Sequence, residues 1–188
     1  MIPAREVVAG IAGALQLAKF DVQGLAFFDD TEGRFWLSFY AAVIIAPLFL
    51  ILITLQYLNE PSSGGYPHFI ILEMLAYVIS WLAFPVIMAY LVKSLDRQAR
   101  YFRFIAAYNW ASVLQNGIYL PIAILAITGA LSADAANFLA LIALSWVLAY
   151  TFFITRRALD VPPGTAAAIV FMNFLLGLLI EAATGKFV

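Results

Sequence analysis

Apolar residues run along this chain in five long blocks separated by short polar breaks. The first block extends from about Phe35 to Leu58 without a charge, and the second from Phe69 to Val92 with one, Glu73. The third covers Phe104 to about Gly129, the fourth Ala135 to Thr155, and the fifth Thr165 to Thr184, with Glu181 near its end. A helix needs about 20 apolar residues to cross a hydrocarbon core of about 30 Å, and only a backbone that closes its own hydrogen bonds can cross. The pattern therefore predicts five transmembrane helices. Asn59-Glu60-Pro61-Ser62-Ser63-Gly64-Gly65 is a dense run of turn formers between the first two. Ser132 and Asp134 are placed to cap the fourth helix, and Val161-Pro162-Pro163-Gly164 closes the connection to the fifth. Pro47, Pro85 and Pro121 each fall inside a span, where the missing donor invites a kink.

Residues 1–34 precede the first span. Between Ala4 and Lys19, Val7, Val8, Ile11, Leu15 and Leu17 alternate with Arg5, Glu6, Gln16 and Lys19, which predicts an amphipathic helix lying in the interface plane. The competing reading is a signal peptide with Val7 to Ala18 as its apolar run; a single preceding basic residue and no convincing cleavage site stand against it. The acidic link Phe27-Phe28-Asp29-Asp30-Thr31-Glu32-Gly33 then leads into Phe35, Trp36, Phe39 and Tyr40, an aromatic set suited to a membrane interface. The expected fold is all-α: a polytopic integral membrane protein with an N-terminal segment, 1–34, and a five-helix bundle, 35–188. No extramembrane catalytic domain fits in what the spans leave over.

Composition agrees with that pattern and removes rival classes. Of 188 residues, 65% are hydrophobic and 11% charged, against roughly 45–50% and 25% in ordinary globular domains. A net charge of −1 with so much apolar sequence excludes intrinsic disorder. With no cysteine and the single His68, disulfides, thiolate chemistry and His-rich metal sites are excluded.

The charges are distributed unevenly. Arg5, Lys19 and Arg34 precede the first span, Lys93, Arg97, Arg100 and Arg103 separate the second and third, and Arg156 and Arg157 separate the fourth and fifth. Connections 59–68 and 130–134 carry no Lys or Arg, and only Lys186 follows the last span. The positive-inside rule then predicts a cytoplasmic N-terminus and, after an odd number of spans, an external C-terminus.

An ionisable group within a span is costly to insert and is a functional candidate by default. Glu73 heads a stripe with Tyr77 and Ser80 at plus four and plus seven, while His68, five residues away, points elsewhere. It reads either as a rim carboxylate bonded to tyrosine or water, or as a proton- or cation-handling site. In the third span, Asn109, Ser112, Asn116 and Tyr119 share one stripe with Gln115 on its shoulder, serving either as interhelical glue or as the lining of a substrate path. Asn173, mid-way along the fifth span, is expected to meet Gln115 or Asn116. Glu181 lies on the same membrane face as Glu73, a pair of carboxylates compatible with a cation. Small residues at Ala136 and Ala140, and at Gly164 and Ala168, predict close helix contacts or a dimer face. The basic residues Lys93, Arg97, Arg100, Arg103, Arg156 and Arg157 act as topogenic charge and attract anionic lipid, with a headgroup pocket between the two loops as the sharper reading.

No Gly-rich phosphate loop, metal-binding His-Glu motif or nucleophile elbow is present, so no catalytic residue, metal or cofactor is expected. Five spans do not divide into two inverted halves. The five closely spaced spans and the cytoplasmic N-terminal segment, with Tyr108-Asn109-Trp110 in the third span as the nearest shared feature, resemble the Yip1-like family of small membrane proteins. That resemblance implies a non-enzymatic membrane-organising role; the long cytoplasmic arm of many eukaryotic members is missing, which favours a bacterial inner-membrane protein. The expectation is a scaffold or accessory subunit that binds lipids and a membrane-protein partner or its own copy, and no nucleic acid. The alternative is a small transporter or channel using Glu73 and the polar face of the third span.

Overall fold

A computed structural model of the protein describes residues 4–185; Lys186 lies outside the described residues. Seven α-helices account for most of it: α1 (Ala4–Ala18), α2 (Glu32–Ser38), α3 (Tyr40–Asn59), α4 (Gly65–Ser94), α5 (Tyr101–Ile127), α6 (Ala133–Leu159) and α7 (Pro163–Thr184). Five stretches are long and apolar enough to cross a membrane: Glu32–Asn59, Gly65–Ser94, Gln98–Ile127, Ala133–Leu159 and Pro163–Thr184. The chain is thus that of an all-helical membrane protein.

Local chemistry sets the boundaries. Thr31 accepts a hydrogen bond from the Arg34 amide to open α2, and Ser132 accepts from the Ala135 amide to open α6. Proline at the first position of α7 sacrifices a donor that has no helical partner anyway. The first span is broken after Ser38, whose buried hydroxyl donates to the Phe35 carbonyl at 2.6 Å. By contrast α3, α4 and α5 run on through Pro47, Pro85 and Pro121.

The spans close into a ring. Going round it, α3 packs on α5, α5 on α6, α6 on α7, α7 on α4 and α4 back on α3. The two ends of this ring differ. Toward the end that carries the basic loops, Phe84, Met88 and Val92 of α4, Phe104 to Ala107 of α5, Tyr150, Ile154 and Leu159 of α6, and Ala166 and Ile169 of α7 are buried in one core. Toward the opposite end, α5 buries only Leu120 after Ser112, and α7 buries nothing after Val170.

The N-terminal segment explains the dense end. Ala14 and Leu17 of α1 are fully buried in the same core as the spans, and Tyr150 of α6 donates to the Ala14 carbonyl at 2.6 Å. At Gly10 the α1 backbone lies directly against the indole of Trp110, where any Cβ would collide with the ring. Residues 4–31 therefore share one packed body with the spans, and the expected boundary at residue 34 separates no two cores. The acidic link folds back on basic partners: Arg34 pairs with Asp29 at 3.0 Å and Glu6 at 3.4 Å, and Arg103 with Asp30 at 2.8 Å.

Candidate functional site

At the open end two adjoining, partly open chambers of about 500 and 920 Å³ lie between the helices. Both lie within the size range of small-molecule sites. They share Phe49, Ser80, Gln115, Asn116, Tyr119, Gly177 and Glu181, so the space between the helices is continuous.

The smaller chamber is polar, and helical periodicity makes it so. Glu73, Tyr77 and Ser80 follow one another at four and three residues on α4, and Ser112, Gln115, Asn116 and Tyr119 lie on one face of α5, so each helix presents a polar stripe to the interior. Glu181 completes the wall from α7. From Glu73 to Ser80, and from Tyr119 to Ser112, the lining descends about 10 Å at 1.5 Å per residue. Tyr108 and Trp81 lie at the deep end, against the packed core. The larger chamber opens between α6 and α7, where Asn137 and Asn173 stand among Leu141, Leu144, Val147 and Leu178.

Hydrogen bonds within the protein engage several of the polar groups on these walls. Asn116 Nδ2 donates to the Ser112 carbonyl at 2.9 Å; a carbonyl only accepts, so the amide orientation is fixed and Oδ1 is left free. Gln115 Nε2 donates to Thr151 Oγ1 at 3.1 Å, Ser80 Oγ to the Ala76 carbonyl at 2.8 Å, and Tyr77 Oη to the Ala42 carbonyl of α3 at 2.6 Å. Tyr77 also stacks on Phe49, with centroids 4.6 Å apart. The carboxylates of Glu73 and Glu181 take part in no hydrogen bond or ion pair among the described residues. Nor does any Lys or Arg occur between residues 35 and 92, 104 and 155, or 158 and 185. The two carboxylates therefore share a cavity wall with no countercharge from the spans.

Other residues fall elsewhere than the sequence pattern implied. Asn109 turns away from the cavity: it is fully buried and donates through Nδ2 to Ser38 Oγ of α2 at 2.9 Å. Asn173 bonds neither Gln115 nor Asn116; its Nδ2 lies 3.0 Å from Tyr108 Oη, which reaches α7 from two turns deeper in α5. Gly164 and Ala168 are exposed rather than packed within the chain, while Ala136 is buried and Ala140 lines the larger chamber. Trp81 and Asn137 also line the space, Asn137 being the one amide of the fourth span, and Tyr108 enters it as a lining residue.

On the basic face, Arg97 and Arg100 turn to Asp160 at the left-handed end of α6, Arg97 Nε donating to its carbonyl at 3.1 Å and Arg100 pairing with its carboxylate at 3.2 Å. The seat expected for an anionic headgroup between the two loops therefore holds a carboxylate of the chain itself. Arg103 is engaged by Asp30 and the Phe28 carbonyl. Lys93, Arg156 and Arg157 remain exposed, Lys93 over the Tyr90 ring and Arg157 over that of Phe153. Among the described residues there is no group of three or more His, Cys, Asp or Glu arranged to hold a metal ion.

No family model, curated protein or solved structure matches this chain.

Proposed function

We propose that the protein is a small non-enzymatic transporter of a bacterial inner membrane, with the basic face cytoplasmic and the cavity open to the outside. The observation that carries this reading is the asymmetry of the ring: polar side chains of α4, α5 and α7 line a space of ligand size at one end, and a dense core seals the other. A scaffold needs helix faces that pack outward and gains nothing from carboxylates directed into an interior space, where each costs insertion energy. An outward-open cavity at mid-depth fits one arm of an alternating-access cycle. The test is uptake into energised proteoliposomes from a mixed extract of small metabolites, read by mass spectrometry. Solutes accumulated by the wild type and lost in Glu73→Gln and Gly177→Leu are expected; identical solute profiles for all three would refute transport.

The accessory-subunit reading draws on one observation, the exposed Gly164 and Ala168 on α7, a small-residue pair that suits a second helix. Exposed Lys93, Arg156 and Arg157 suit anionic lipid on the same face. Native mass spectrometry of gently extracted protein, wild type against Ala168→Leu, tests that contact: a larger assembly lost in the variant supports it, and an unchanged monomer counts against it.

A further inference from the structure

We infer that the ligand of the cavity is a cation carried on an apolar body, an ammonium-type head attached to hydrocarbon. This inference rests on the reading of the cavity as a ligand site and specifies its chemistry.

Three independent features of the lining agree. First, charge: Glu73 and Glu181 face one space without a basic partner from the spans, and a carboxylate withdrawn from bulk water is stabilised by a cation within a few ångströms. Second, hydrogen-bond polarity: the hydroxyls of Ser80 and Tyr77 donate to backbone carbonyls, and Asn116, with one N–H given to the Ser112 carbonyl, keeps its Oδ1 acceptor beside the two carboxylates. An anion would meet the two carboxylates on these walls. Third, shape: the polar chamber adjoins the larger one, whose Leu141, Leu144 and Leu178 offer a hydrocarbon surface where α6 faces α7. A head resting against Glu73 and Glu181 places an attached tail in that chamber, and the rings of Tyr77 and Trp81 add a face for a cation. A bare metal ion would leave the apolar chamber unused.

Two sources share this chemistry, a soluble lipophilic amine and an aminophospholipid of the bilayer. The experiment uses the full chain in nanodiscs and the probe tetraphenylphosphonium, measured as saturable binding. Wild-type protein in phosphatidylglycerol discs is expected to bind it saturably. Glu73→Gln and Glu181→Gln are each expected to weaken that binding at least tenfold, and Gly177→Leu to abolish it. Weaker binding in discs that contain phosphatidylethanolamine would identify the aminolipid as the resident occupant; unchanged binding would identify the soluble amine. Binding that is not saturable, or that Glu73→Gln and Glu181→Gln leave intact, overturns the cationic assignment. The transport reading is judged separately: solute uptake that survives this negative result, and is lost in Gly177→Leu, shows a cavity that works on ligands of another class.

Discussion

Individual side chains in this protein are sorted by whether their polar atoms are satisfied inside the chain. Asn173 and Asn109 both sit in apolar helices, yet the first bonds Tyr108 beside the cavity and the second bonds Ser38 in the core. An interhelical bond of this kind contributes about 0.6 kcal/mol on average and up to about 1.7. Asn173→Leu is therefore expected to lower the unfolding free energy by about that amount while leaving the topology unchanged; an unaltered melting curve in detergent would contradict the pairing. Gly10 carries a larger consequence because Trp110 occupies the space of its missing side chain. Gly10→Ala forces the indole or α1 to move, at a cost of about 1–3 kcal/mol for overpacking, visible as a lower melting temperature. Gly177 is its opposite. A Cβ there meets nothing within 4 Å, so Gly177→Leu should fill the cavity without loss of thermal stability, and a marked loss would show that the space is closed in the folded protein.

At the scale of elements, the spans were legible and their partners were not. Apolar blocks of about 20 residues with at most one charge leave little choice of structure in a bilayer, so the five blocks reappear as helices with ends shifted by a few residues, the third starting at Gln98 and stopping at Ile127. The polar stripes of α4 and α5 could also be read, since spacings of three and four determine a helix face. What such spacing lacks is direction: it places Asn109 on the same stripe as Ser112 and Asn116, whereas a drift along the helix and the arrival of α2 turn it to Ser38. The N-terminal segment was the least legible. Its apolar periodicity is equally compatible with lipid and with protein, and it is the close approach at Gly10, the buried Ala14 and Leu17 and the bond from Tyr150 to Ala14 that tie α1 to the spans. If that docking holds α1, Tyr150→Phe removes a buried donor and leaves the Ala14 carbonyl without its Tyr150 partner, at a cost of about 1–3 kcal/mol. Faster hydrogen exchange across residues 4–18 in the variant is expected, and unchanged exchange would contradict it.

Across the whole molecule the recurring feature is a difference between two ends. One is filled by α1, α2 and the deep halves of the spans and ringed by arginines tied to Asp30 and Asp160; the other is an unfilled space walled by polar side chains and two carboxylates. The natural absence of cysteine allows this to be read directly, since any introduced thiol is unique. Single cysteines at Ser80 in the cavity, at Arg157 on the basic face and at Ile154 in the core are to be exposed, in intact cells, to a membrane-impermeant maleimide. The account predicts labelling of Ser80→Cys from outside, labelling of Arg157→Cys only after the membrane is opened, and none of Ile154→Cys before denaturation. Protection of Ser80→Cys in intact cells, with labelling of Arg157→Cys from the same side, would contradict both the orientation and the outward-open cavity.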